Sequence, residues 1–300
     1  EFYKRVVQIE PDAVAFYGLG TAHLSMGKLD LARDNLQKAM EIWQGSGDLR
    51  SEAAALQRLA SLDMAQKDDD AAHEKFEKIL EIQEKLDDFH GIAATLQEMA
   101  MLDLARQDYE AALPKLLKSL ELLQKTGDRT GEAAALFYLG NLYLDKGEFQ
   151  LAKEDFEKAL LLEREIGNRS GEAAVLHSLG LIESQVGAKE TAWANFKDAL
   201  QIYQELADKS GEAGAFFQLG ALAVQRDKIA EGLRLMALSA LVLRSIKSDE
   251  VKNVEPLVER LASQLSYSQE QFMAMVQEAM QSYRNDRGWH LLESVISDKK

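Results

Sequence analysis

The sequence predicts an all-α solenoid of stacked, antiparallel helix pairs. Three observations carry that prediction. The 300 residues include only three Pro, while Ala, Leu, Glu, Gln and Lys, which favour helix, abound. Small residues recur every 40 positions, at Gly20, Ala60, Ala100, Gly140, Gly180 and Gly220. Within each period apolar residues fall twice at the three-and-four spacing of an amphipathic helix, with a break between. A unit of this length buries its apolar face only by stacking on its neighbours, so the pattern must repeat.

The elements follow in chain order. Residues 1–10 read as the second helix of a truncated preceding repeat, with Pro11 at the junction. Residues 11–250 hold six copies. Three residues before each small residue stand Phe16, Leu56, Leu96, Leu136, Leu176 and Phe216, and one before stand Leu19, Leu59, Met99, Leu139, Leu179 and Leu219. In copy four, Ala133, Leu136, Leu139, Gly140 and Tyr143 mark the first helix. Gly147 then suits a C-terminal cap, and Leu151, Ala152, Phe156, Ala159, Leu160 and Glu163 mark the second helix, ended by Gly167. Glu132 and Glu172 enter first turns, where a carboxylate meets the positive end of the helix dipole. The small residue lets two helices cross closely while its large neighbours fill the space around it. Copy six departs from the pattern with Gly232 in an Ala place, and Arg260 stands where a seventh small residue would be. Residues 251–300 read as a helical cap: one helix over 251–265, a second opened by Ser268 and Gln271 in capping-box spacing, and a short third at "WHLLESVIS". The second carries Phe272, Met273, Val276 and Met280, a face that caps the stack or, alternatively, docks into its groove.

Leu136, Leu139, Gly140, Tyr143, Ala152, Phe156 and Ala159 follow the W-x2-L-G-x2-Y…A-x3-F-x2-A pattern with Leu in the Trp place. The chain thus resembles the tetratricopeptide repeat family over about residues 11–250. The 40-residue period, with "GDRTGEA" and its variants between copies, is similar to that of Pins-type adaptors and of many bacterial repeat proteins. The resemblance implies a right-handed superhelical solenoid with a concave face lined by the first helices. The places it implies for that lining are Tyr17, Thr21, Leu24 and Ser25 in copy one, then Gln57, Ser61 and Met64, and Gln97, Met101 and Leu104. They continue with Phe137, Asn141, Leu144 and Asp145, then His177, Leu181 and Ser184, and Phe217, Ala221 and Val224. This lining has no Lys or Arg, and of the Lys/Arg and Asn set with which some relatives grip a C-terminal carboxylate only Asn141 is present. That departure argues against a carboxylate clamp and against the ligands of the Pins-type adaptors.

Composition bounds the function. A formal net charge of −15 without a dense basic cluster argues against nucleic acid and anionic lipid as partners. No apolar run approaches a membrane span and no signal peptide is visible, which favours the cytoplasm. Cysteine is absent, so thiol and disulfide chemistry is excluded. The opening "EFYKRVVQIEPD" lacks Met, which suggests a piece of a longer protein. His23, His73, His90, His177 and His290 lie in different copies or the tail, without ligand-pair spacing. His23 takes a Tyr place and reads as core, whereas His177 is placed to face the groove. Asp63, Asp103 and Glu183 share the place of Tyr143 and read as a solvated edge or as hydrogen-bonded to a neighbouring helix rather than as a catalytic dyad. In "KDDDAAHEK" the acids read as a helix start.

The function these residues predict is a scaffold that takes a peptide or helix of a partner protein in its groove, with no cofactor, no metal and no catalysis. One alternative is a regulatory module whose C-terminal helices or upstream part respond to a bound peptide, as in peptide-sensing bacterial regulators that resemble this architecture. Another is self-association through solenoid ends, where Phe2, Val6, Val7 and Ile9 would leave an apolar edge.

Overall fold

A computed structural model describes residues 12–296, and the readings made on residues 1–11 lie outside the described residues. Fifteen helices are present among the described residues, with no strand. The first twelve are α1 Ala13–Ser25, α2 Leu29–Ser46, α3 Leu49–Ala65, α4 Asp69–Lys85, α5 Phe89–Ala105, α6 Tyr109–Thr126, α7 Arg129–Asp145, α8 Phe149–Ile166, α9 Arg169–Gln185, α10 Lys189–Glu205, α11 Lys209–Val224 and α12 Ile229–Ser245. Three more follow, α13 Val251–Gln264, α14 Gln269–Asp286 and α15 Trp289–Ile296. The chain divides into two compact units, residues 1–142 and 143–300, with the division inside α7.

One device punctuates the helices at a regular interval. At positions 27, 47, 67, 87, 107, 127, 147, 167, 187, 207, 227 and 247 the backbone enters the left-handed region, with φ between 51° and 82°. Half of these places hold Gly and half hold Lys67, Asp87, Gln107, Ala207, Asp227 and Lys247. One left-handed residue ends a helix by turning the chain out of the i→i−4 ladder, and a side chain there costs about 1 kcal/mol relative to Gly. An N-cap follows at once. Asp48, Asp68, Asp88, Asp108, Asn168 and Asp208 each accept a hydrogen bond from the backbone N–H three residues on, and so does Asp128, from Gly131 at 2.9 Å. The acids of "KDDDAAHEK" therefore divide their work: Asp68 caps α4, while Asp70 takes the Arg106 guanidinium at 2.7 Å.

In the first unit the core runs through Leu36, Leu56, Ala60, Phe76, Ile79, Met99 and Leu116, all buried between paired helices. At about 25 cal/mol per Å² of apolar surface removed from water, each of the larger side chains contributes about 2 kcal/mol. Asp63 and Asp103 sit in this core and bond to neighbouring helices, the second of the two readings, rather than lying at a solvated edge. Asp63 is fully buried and ion-paired to Arg33 at 2.7 Å and Lys75 at 2.6 Å. Asp103 meets Lys115 at 2.6 Å. The cause is a Lys on the next helix in each case, whose stem lies along apolar surface while its ammonium reaches the carboxylate. In the second unit the place matching Lys75 and Lys115 holds Asn195, and Lys153 of α8 takes Glu183 instead, at 2.7 Å.

A second register of small residues, not anticipated from the sequence, stands at Gly131, Gly171 and Gly211. A Cβ at Gly211 would lie 2.4 Å from the ring of Tyr203, so the Gly of "SGEA" admits a large residue from the preceding second helix. In copy six the departure at Gly232 brings the paired helices closer. A Cβ at Gly220 would meet the Gly232 carbonyl at 2.9 Å, and one at Gly232 the Gly220 carbonyl at 2.7 Å, so α11 and α12 touch backbone to backbone.

Beyond α12 the chain changes course. α13 buries Val254 and Val258 in the cluster that holds Leu233 and Met236. α14 starts on the expected capping box, with Ser268 N–H donating to Gln271 Oε1 at 2.8 Å and Gln271 N–H to Ser268 Oγ at 3.2 Å. Its buried residues are Met275 and Ala279, with Phe272, Val276 and Tyr283 packed beside them, while Met273 stays half exposed. The face is thus rotated from the one read in the sequence. α14 lies along α12, and α15 buries Leu291, Leu292 and Val295 in the cluster that holds Phe196, Leu200 and Leu238. These two helices cover mainly second helices, whereas the lining implied by the sequence belongs to first helices. Gln204 ties them down: its amide donates to the Arg287 carbonyl at 3.0 Å and accepts from Trp289 Nε1 at 2.9 Å.

Candidate functional site

The places expected to line a groove are held differently in each copy. In the first unit, Tyr17 leans on Trp43 with ring centroids 5.5 Å apart, and Thr21 and Ser61 return their hydroxyls to backbone carbonyls one turn back. Gln57, Gln97, Phe137 and Asn141 are half-buried, and Met101 is 40% exposed. Gln97 donates to the Gly131 carbonyl at 3.2 Å, which bridges α5 to the start of α7. Phe137 sits edge-on to Tyr138 at 6.1 Å.

Three of these helices build a cleft of about 330 Å³, lined by Met64 of α3, Ala94, Gln97, Glu98 and Met101 of α5, and Tyr138 of α7. Met64, Gln97 and Met101 come from the expected lining. Ala94, Glu98 and Tyr138 do not. Their signal was available, because residues 94, 98 and 101 follow the same three-and-four spacing as the core. A helix face about 100° wide admits the position after each expected one as well as the expected one itself.

Glu98 gives the cleft its charge. It is half-buried, and burial pushes its carboxyl above the ordinary carboxylate range, opposed by the Gln57 amide. The phenol of Tyr138 is pushed up in turn, first by burial and then by the negative charge of Glu98. Asp63 and Asp103, behind the same helices, each have a cation, but Glu98 has no ion pair among the described residues. Arg58 of α3 directs its Nε to the Tyr17 hydroxyl at 3.4 Å instead.

In the second unit His177 lies against Phe196 at 5.1 Å and Tyr203 at 6.4 Å between ring centroids, with its Cε1 3.6 Å from where a Cβ on Gly214 would sit. It is packed on aromatic rings, and burial pushes its imidazole down to about 4. Nδ1 is buried without a hydrogen-bond partner among the described residues. Leu181 packs beside the cluster of Phe196 and Phe216, and Phe217 beside that of α12 and α13. Phe217 also borders an open cleft of about 340 Å³ with Gly214, Leu243, Asn253 and Leu257. His23 is buried in the Tyr place, with Asn35 Nδ2 3.5 Å from its Nδ1.

Among the described residues no group of three or more His, Asp and Glu is arranged to hold a metal ion, and no helix is long and apolar enough to cross a membrane. The geometry offers apolar and hydrogen-bonding surface.

Comparison with known proteins agrees with the helix pairs. The family model described as tetratricopeptide repeat matches residues 12–85, 91–160 and 133–205. Those spans cover more than half of the chain, and the chain belongs to the tetratricopeptide repeat family, whose arrays are protein–protein interaction scaffolds. Among solved structures it is similar to the apo form of RapI, at 18% identity and a TM-score of 0.72, over 95% of this chain and 98% of that one. It is equally similar in fold to a STAND protein with a tetratricopeptide repeat sensor from Pyrococcus horikoshii, at 17% identity and a TM-score of 0.72, over 98% of this chain but 45% of that one. BtubC from P. vanneervenii matches at 18% identity and a TM-score of 0.60, over 68% of this chain and 87% of that one. No curated protein matches in sequence.

Proposed function

We propose that this chain binds a segment of a partner protein in the cleft of its first unit. The observation that carries the reading is the lining of that cleft: Met64, Met101 and Tyr138 supply adaptable apolar surface, and Gln97 and Glu98 supply polar groups, on three successive first helices. Met accommodates varied side chains, and a helix or extended segment with aliphatic anchors matches such a surface. Gln and Asn satisfy its backbone groups in either direction. The similarity to a protein whose tetratricopeptide part is described as a sensor accords with a recognition role.

The experiment is a peptide-display selection on the full chain beside a Met101→Asp/Asn141→Ala variant, with thermal melts to establish that both are folded. A shared motif that the variant loses supports the reading. Motifs retained by the variant, or none on folded wild-type protein, overturn it.

A further inference from the structure

We propose that the cleft of the first unit selects a segment bearing a Lys or Arg side chain, with the cation seated against Glu98. The inference rests on the reading that this cleft takes a peptide, and it specifies the chemistry of the occupant. Three observations converge.

The first is a contrast in charge. Buried carboxylates of this unit are neutralised from within: Asp63 by Arg33 and Lys75, Asp103 by Lys115, Glu132 by Arg129 at 3.1 Å and by the Gln124 amide at 3.1 Å. Glu98 is half-buried in a concave wall with the Gln57 amide as neighbour and no cation among the described residues. A carboxylate partly withdrawn from water without a counter-charge carries a cost that an incoming ammonium or guanidinium relieves.

The second is shape. Met64, Ala94 and Met101 offer apolar surface beside the carboxylate, which suits the methylene stem of Lys or Arg, and the Tyr138 ring offers an aromatic face close by. The negative charge of Glu98 is felt at the Tyr138 phenol, so ring and carboxylate act at one place.

The third is the charge of the molecule as a whole. With a formal net charge of −15, the chain draws basic segments towards it and repels acidic ones.

The test uses the full chain and a displayed library of random twelve-residue peptides, panned on wild type, Glu98→Gln and Glu98→Lys, with the Met101→Asp/Asn141→Ala variant as the cleft control. The expected result is a motif with Lys or Arg at a fixed position. Synthetic peptides of that motif should lose about tenfold in affinity on Glu98→Gln. The same loss should follow when the peptide's basic residue becomes Met. Glu98→Lys should shift the selected position to Asp or Glu. If peptides are selected and the cleft control loses them, but they carry no basic residue or ignore Glu98→Gln, the inference is overturned while the cleft reading stands. If folded wild-type protein selects nothing through the cleft, both fall.

Discussion

His177 makes the fold sensitive to pH, and replacing it with Phe should remove that sensitivity. Its imidazole ordinarily titrates at 6.5 and in this packing titrates at about 4, because burial against Phe196 and Tyr203 disfavours the charged ring. The sign follows from linkage. Between pH 6.5 and 4 the unfolded chain holds a proton at this ring and the folded chain does not, so stability falls as pH falls through that window. At about 1.4 kcal/mol for each pH unit separating the two values, the whole effect is about 3 kcal/mol. About 2 kcal/mol of it falls between pH 7 and pH 5. The His177→Phe variant keeps a ring of similar size, and the matching places in copies four and six already hold Phe137 and Phe217. It also removes the buried Nδ1, which has no hydrogen-bond partner among the described residues. Urea unfolding of both proteins at pH 7 and pH 5 should show the wild type losing about 2 kcal/mol more than the variant on acidification. Equal losses in the two proteins would refute the argument, as would an NMR titration that finds the His177 ring charging near 6.5.

Three further outcomes follow from the packing. Ala207→Gly should stabilise the second unit by about 1 kcal/mol, because φ is 58° there and an unbranched Cβ is still strained, and thermal melting checks it. Arg33→Met/Lys75→Met strips both cations from fully buried Asp63 and should cost about 3–5 kcal/mol, whereas adding Asp63→Leu should recover most of that, as read by denaturant midpoints. Gln204→Ala removes the partner of Trp289 Nε1 and of the Arg287 carbonyl, and should raise hydrogen exchange across residues 287–296 while leaving α1 to α6 unchanged.

The helix pairs were legible because their determinants are local. The three-and-four spacing, capping side chains such as Asp68 and the residue ending each helix all lie within one or two turns of the element they define. The left-handed ends at Gly147 and Gly167 and the Ser268 capping box stand where the sequence placed them. What was not legible depends on partners far along the chain. The ion pair of Glu183 with Lys153 spans 30 residues, and the bond of Trp289 to Gln204 spans 85. Nothing in the neighbourhood of Asp63 announces that Arg33 and Lys75 will reach it from two different helices. The orientation of α14 escaped for a related reason: its sequence offers Met on two faces, and the choice of Met275 over Met273 is made by the surface of α12.

The same distinction bears on the cleft. A residue that returns in every copy can be assigned to packing from the sequence, because only stacking requires the repetition. A residue that varies can be assigned to nothing until its neighbours are known. The place of Tyr17, Gln97 and His177 illustrates this: one leans at an angle on an indole, one bridges to a backbone carbonyl, and one sits against aromatic rings. Each makes an internal contact, and Gln97 also borders the cleft. One position further along the helix, Glu98 varies just as freely, against Arg58 and Tyr138 in adjacent copies, but no internal group neutralises it among the described residues. Internal contacts account for its neighbours and leave its charge over, and a charge left over in a concave wall is the part of this fold that a partner is best placed to answer.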